Sequence, residues 1–284
     1  MGLADFGCTP GVGWDIAGPS AAGPGAAMIG FRDVGGVGLD LRAAATTAVA
    51  VVVEFAGHDV VVDDVDGRQR LGGFVVGPSM AAMRVRSGQA ACVEVRLSPI
   101  RAYSVLGVAA KDLGHGAVPS DELWGTEVRR LRERLAVAGS WEERSALTRS
   151  FLARRERAGR APDPEVIDAW HRILASGGQV KVGELAESIG WSRKRLWGRF
   201  ESQIGVTPKR AAMLVRFRRA VGGLLAGRPA AEVAAVCGYT DQAHLCRGVS
   251  IFAERTPGAL HVGNLPFIAR ERYQAWGTFF QSPG

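Results

Sequence analysis

Apolar positions along this chain change their period near residue 120. Before that point they come in short runs: Ala48 to Phe55, His58 to Val62, Gly73 to Val76, Met83 to Arg86 and Ala91 to Leu97. Turn pairs such as Asp66-Gly67 and Ser87-Gly88 separate them, and runs of this kind predict the strands of an antiparallel sheet or small barrel. From Asp121 the period becomes helical. Leu123, Val128, Leu131 and Leu135 share one face, and Leu147, Phe151 and Leu152 share another beyond the Gly139-Ser140 break. A further helix is predicted near Glu165 to Ala175, and a long one from Pro208 to about Leu225, with Pro208 suited to the first turn. The first 40 residues, rich in Gly, Pro and Ala, read as an irregular segment. Gly159, Pro162 and Pro164 mark a linker. The expected class is α+β. An irregular segment (1–40) precedes a β-rich sensory or oligomerisation domain ending in helices (41–158), a linker (159–164), an all-α domain (165–262) and a tail (263–284).

Within the helical half one short pattern occurs twice, about 48 residues apart. Ala186 and Ala234 each stand four residues before a glycine, Gly190 or Gly238. An aromatic follows each glycine (Trp191, Tyr239), and then a hydroxyl residue (Ser192, Thr240). The small Ala lets two helices cross closely, and the glycine ends the first helix in a left-handed conformation. The hydroxyl caps the second helix. Each copy therefore reads as a helix-turn-helix unit, and two in tandem suggest a protein that reads two stretches of one DNA face.

Helical geometry sorts the side chains of each second helix. Leu196 and Phe200 lie one turn apart and face the core. Lys194, Arg195 and Trp197 are then the base-edge candidates at the end that enters a major groove, and Gly198 permits close backbone approach. Arg193 and Arg199 fall nearer the core edge and fit phosphates. In the second unit Leu245, Val249 and Phe252 form the buried stripe. Arg247 faces out and can donate twice to guanine, with Gln242 and His244 as further candidates. Asp241 fits a cap, since its carboxylate would repel phosphate.

The charge supports this reading. The 284-residue chain carries a formal +7, and residues 180–230 alone hold 11 Lys and Arg against 3 Asp and Glu. Neutralising phosphates supplies most non-specific DNA affinity, so a basic helix-turn-helix segment means more than a generally basic surface. No apolar run has the length needed to cross a bilayer, and Ala43 to Phe55 comes nearest. No secretory signal is read at the start, and Cys8, Cys92, Cys237 and Cys246 lack metal-type spacing. The expectation is a reduced, cytoplasmic protein.

From about 165 to 260 the sequence resembles the AraC/XylS-type DNA-binding domain. The matching positions include Leu185-Ala186, Gly190, Ser192, Leu196, Phe200, Gly205-Val206-Thr207-Pro208, Arg216, Ala220, Gly238-Tyr239, Asp241-Gln242, His244-Leu245, Arg247 and Thr256-Pro257. The resemblance implies seven helices, two helix-turn-helix units on a rigid linking helix, and transcriptional regulation, more often activation. Double-stranded DNA is the implied partner. RNA polymerase, a small-molecule effector and a second copy of the chain are further candidates. Three positions depart from the pattern. Ala211 stands where an aromatic is usual, Val249 where Phe is usual and Glu254 where Gly is usual, so the second unit is expected to be the looser reader. The region 48–157 is similar, more weakly, to the sensory half of some members, through Gly73-Phe74-Val75-Val76-Gly77, Leu97-Ser98-Pro99, Ala102, Leu106-Gly107 and Glu122-Leu123-Trp124-Gly125.

Other chemistry finds less support. His58, His115, His171, His244 and His261 are scattered, so no metal site or other cofactor is expected. Asp63-Asp64-Val65-Asp66-Gly67 resembles part of a calcium loop but lacks the closing Glu, and reads as an acidic turn. Gly11-Val12-Gly13 has no strand before it to make a dinucleotide site. A DNA-repair alkyltransferase fused to the reader would need a reactive cysteine, and neither Cys8 nor Cys92 has a supporting His or Glu. An architectural or partner-binding DNA protein stays open, because the sequence names no pocket residue. No catalytic constellation is read.

Overall fold

The computed structural model describes residues 13–260. The expectations for residues 1–12 and for the tail 263–284, together with Cys8 and His261, lie outside them. Strands β1 (Trp14–Ala21), β2 (Ala26–Asp33), β3 (Leu39–Ala43), β4 (Val49–Glu54), β5 (Val60–Asp64), β6 (Gly67–Leu71), β7 (Gly73–Val76), β8 (Met83–Ser87) and β9 (Ala91–Leu97) come first. Helix α1 (Pro99–Leu106) and strand β10 (Ala117–Pro119) lead into α2 (Ser120–Val137) and α3 (Trp141–Ala158). The remaining helices are α4 (Pro164–Ala175), α5 (Val182–Ile189), α6 (Arg193–Ile204), α7 (Pro208–Leu225), α8 (Ala230–Val236) and α9 (Gln242–Ala253).

The strands form two antiparallel sheets, ordered β1-β2-β9-β4-β7-β10 and β3-β8-β5-β6. The six-stranded sheet is covered on both faces. Val49, Val51 and Val53 of β4 and Val93, Val95 and Leu97 of β9 turn toward α1, α2 and α3, where Leu106, Val128, Leu135 and Phe151 complete one core. Val52, Ile29, Phe31, Phe74 and Cys92 turn the other way, onto Leu41, Val60, Val62 and Val85 of the smaller sheet. Burial on both faces explains why β4 reads as an unbroken apolar run rather than as an alternation.

Residues 14–40, expected to be irregular, instead contain β1, β2 and the start of β3, and this corrects the first boundary. The glycines and prolines that suggested a loop have local roles inside the sheet. Gly18-Pro19 lies where the β1–β2 register shifts, between Ala17 and Ser20. Gly23-Pro24-Gly25 makes the turn between the two strands, with φ of +104° at Gly23 and +65° at Gly25. Gly30 lies beneath the Trp141 ring, which leaves no room for a Cβ.

The two helix-turn-helix units have separate cores that share α7. Ala211, Ala212 and Val215 join Val166, Trp170, Leu185, Leu196 and Phe200 of the first unit. Leu214, Phe217, Ala220 and Leu224 join Val233, Leu245, Val249 and Phe252 of the second. The long helix therefore serves as one rod with a core on each of two faces.

Candidate DNA-reading site

Each reading helix is set by its turn. In the first unit Gly190 ends α5 in the left-handed region, with φ of +73°. The Ser192 side chain then accepts the Arg195 amide at 3.2 Å and so caps α6. Leu196 and Phe200 are fully buried, which fixes the rotation of α6. That rotation leaves Arg193, Lys194, Arg195, Gly198 and Arg199 exposed, with Trp197 42% exposed on the same side. Trp197 is thus a surface aromatic. The Arg195 guanidinium lies over the Trp191 ring at 4.4 Å, a cation–π contact that helps fix the side chain's position. With no acidic residue in its first turn, α6 adds its own positive N-terminal end to three consecutive cations.

The second unit repeats the geometry with one correction. Asp241, and not Thr240, caps α9, its carboxylate accepting the His244 amide at 2.6 Å. A carboxylate is the stronger acceptor for an amide at a positive helix end, so it displaces the hydroxyl from that position. Thr240 instead contacts the His244 ring, with Oγ1 3.3 Å from Nδ1, and its amide donates to the same nitrogen at 3.4 Å. Tyr239 meets that imidazole edge to face at 5.2 Å. His244 is therefore folded back on its own turn. Gln242, Ala243 and Arg247 are exposed, while Leu245, Val249 and Phe252 are buried. Cys237 is buried in this core, and desolvation pushes its thiol up from the ordinary range. Cys246 is half-buried.

Two contacts around these helices carry no local sequence signal. Asp163, just before α4, holds Arg199 in a two-pronged ion pair at 2.7 and 2.8 Å, and its amide donates to Gln203 Oε1 at 2.8 Å. Arg199, expected on phosphate, is thus tied to the linker. From α7, Arg216 reaches the second turn. Its guanidinium lies 5.1 Å over Tyr239 and donates to the Gly238 carbonyl at 3.4 Å. Both depend on long-range placement, which spacing along the chain does not reveal.

Elsewhere the candidate chemistry resolves into structure. Asp63 accepts from Arg68 and Arg86, each at 2.6 Å, and the hydrogen bond from Arg68 holds its carboxyl below the usual range. Asp64 accepts the Ala117 amide, so the acidic run is a braced hairpin. Cys92 is 1% exposed, a poor position for a reacting thiol. Between the sheets lies a cavity of about 50 Å³ lined by Phe31, Leu41, Val52, Phe74, Cys92 and the Glu94–Arg96 pair. A water molecule occupies about 30 Å³ of liquid, so this interior is filled mainly by its own side chains.

A family model described as a helix-turn-helix domain matches residues 185–261. Residues 185–261 are thus matched as a helix-turn-helix domain, in agreement with the two capped units described above. Among solved structures the chain is similar to the C-terminal domain of AraT, a response regulator from Geobacillus stearothermophilus, at 20% identity over 37% of this chain and 88% of that one, with a TM-score of 0.34. It is also similar to fatty-acid-bound ToxT from Vibrio cholerae, at 11% identity over 80% and 95% of the two chains, with a TM-score of 0.49. No curated protein matches the sequence significantly. Among the described residues no helix is long and apolar enough to cross a membrane.

Proposed function

We propose that the protein is a sequence-specific regulator that reads two successive major-groove segments of one duplex, α6 entering the first and α9 the second. The observation that carries this reading is the paired geometry. Two capped helices each bury one stripe, turn polar side chains outward and share α7 as a rod. At 18 residues and about 1.5 Å per residue, α7 is roughly 27 Å long. Adjacent groove faces lie about 34 Å apart, within reach of reading helices packed beside such a rod. Lys194, Arg195 and Trp197 are the base-edge readers of α6, with Arg193 on phosphate. Gln242 and Arg247 read from α9. The Asp241 carboxylate at the start of α9 weakens phosphate attraction there, which supports a looser second reader. Activation is the sense favoured by the family resemblance.

The test is selection of binding sites by the full chain from a pool of random duplexes. Two preferred blocks about one helical turn apart are expected, the second more degenerate. A single block of preference would refute the two-segment reading.

A further inference from the structure

The C-terminal ends of both reading helices rest on one small rim of the N-terminal domain. Two loops make that rim, residues 44–48 and 77–82. They are joined by a bridge in which Thr46 and Ser79 exchange both backbone hydrogen bonds at 3.1 Å. Against the end of α6, Pro78 packs on Gly205, where a Cβ would lie 3.2 Å from the proline ring and 3.4 Å from Ala110. Ile100 of α1 adds an apolar contact to the first unit's core.

Against the end of α9, the Ala45 amide donates to the Phe252 carbonyl at 2.8 Å. The last carbonyls of a helix have no partner within it, so this bond fills a vacancy from another domain. Ala45 itself is buried in the second unit's core, and Met80 packs beside it. Next to them Arg42 of β3 forms an ion pair with Glu254. Among the described residues Glu254 is the one non-glycine with positive φ, at +49°. Glycine would hold that left-handed cap with less strain. What Glu gains in exchange is a charged contact to β3, beside the rim.

We infer that this rim positions both reading helices, and that Arg42, Ala45, Pro78 and Met80 are positioning residues that fix the spacing between the two DNA segments the chain accepts. This rests on the two-segment reading above. Pro78 and Ala45 sit on loops bridged to each other, so one rigid piece sets where α6 ends and where α9 ends. The linker does not loosen the arrangement. The Ser104 hydroxyl donates to the Arg160 carbonyl at 2.9 Å, and Asp163 is tied to Arg199 and Gln203.

The test measures binding of the full chain to duplexes whose two segments are moved apart or together by one and two base pairs. For the unaltered chain, a one-base-pair change should weaken binding about tenfold, as a single poorly matched position does. Ala45→Phe, which wedges the interface at a buried small residue, should reduce that penalty below about threefold while leaving base discrimination within each segment unchanged. Because Phe could disturb folding, Arg42→Glu serves as a second variant. It should shift the penalty in the same direction by a smaller factor, since the ion pair is exposed, and adding Glu254→Arg should restore it. A spacing penalty that persists in Ala45→Phe, or a failure of the charge swap to restore it, would overturn the inference. So would protection of both segments by an unaltered chain that is indifferent to spacing, although the two-segment reading would survive that result. Protection of one segment alone would remove both.

Discussion

Lys194 and Arg195 are neighbours with different constraints. Arg195 is laid against Trp191 and capped into place by the Ser192 turn, whereas Lys194 projects from the exposed face as a flexible point charge. Arg193, at the first position of α6, lies with its guanidinium against Gly183 in the first turn of α5. These placements fit the proposed division between base readers and phosphate holders. Lys194→Ala should reduce discrimination between cognate and scrambled duplexes by about 1–3 kcal/mol, the scale of a good base contact. Arg193→Ala should weaken both duplexes alike and lower the salt dependence of binding by about one phosphate. Competition titrations at two salt concentrations check both. Equal weakening of the two duplexes by Lys194→Ala would make it a phosphate contact.

At the scale of elements, the reading helices depend on caps of different strength. Ser192→Ala removes a hydroxyl acceptor and should cost about 1 kcal/mol of stability. Asp241→Ala removes a charged acceptor at a 2.6 Å contact and should cost more, up to about 2 kcal/mol, while raising non-specific DNA affinity by removing a carboxylate from the groove end. Denaturant unfolding and filter binding measure the two effects, and non-specific affinity that falls in Asp241→Ala would contradict the assigned geometry. The sequence showed these helices clearly because Gly190, Ser192, Leu196 and Phe200 are local signals, each two to four residues from the next. It hid β1 and β2 because their evidence is distant. Gly30 stands in a strand for the sake of Trp141, more than a hundred residues away, and Ala26, Ala27, Met28 and Ile29 are buried on both faces, so no alternation survives. The Asp163–Arg199 pair and the Arg42–Glu254 pair were hidden for the same reason. The departure at Glu254 was visible as a residue out of pattern, but its partner lies 212 positions earlier.

At the scale of the whole molecule, the chain combines a closely packed sandwich of two sheets, three covering helices and two reading units on a shared rod. The sandwich and the units are joined at the rim, at α1 and along a linker held by Asp163 and Ser104. The molecule thus carries two capped helices of unequal character, the pair proposed to meet DNA. One has three consecutive cations at its start, and the other has a carboxylate cap followed by a single exposed arginine a turn and a half later. The most direct test of this account is hydroxyl-radical footprinting of the full chain on one selected site, with Lys194→Ala and Arg247→Ala alongside. The account predicts two protected segments about one helical turn apart, with Lys194→Ala weakening the first and Arg247→Ala erasing only the second. Protection of one segment alone, unchanged by Arg247→Ala, would contradict it.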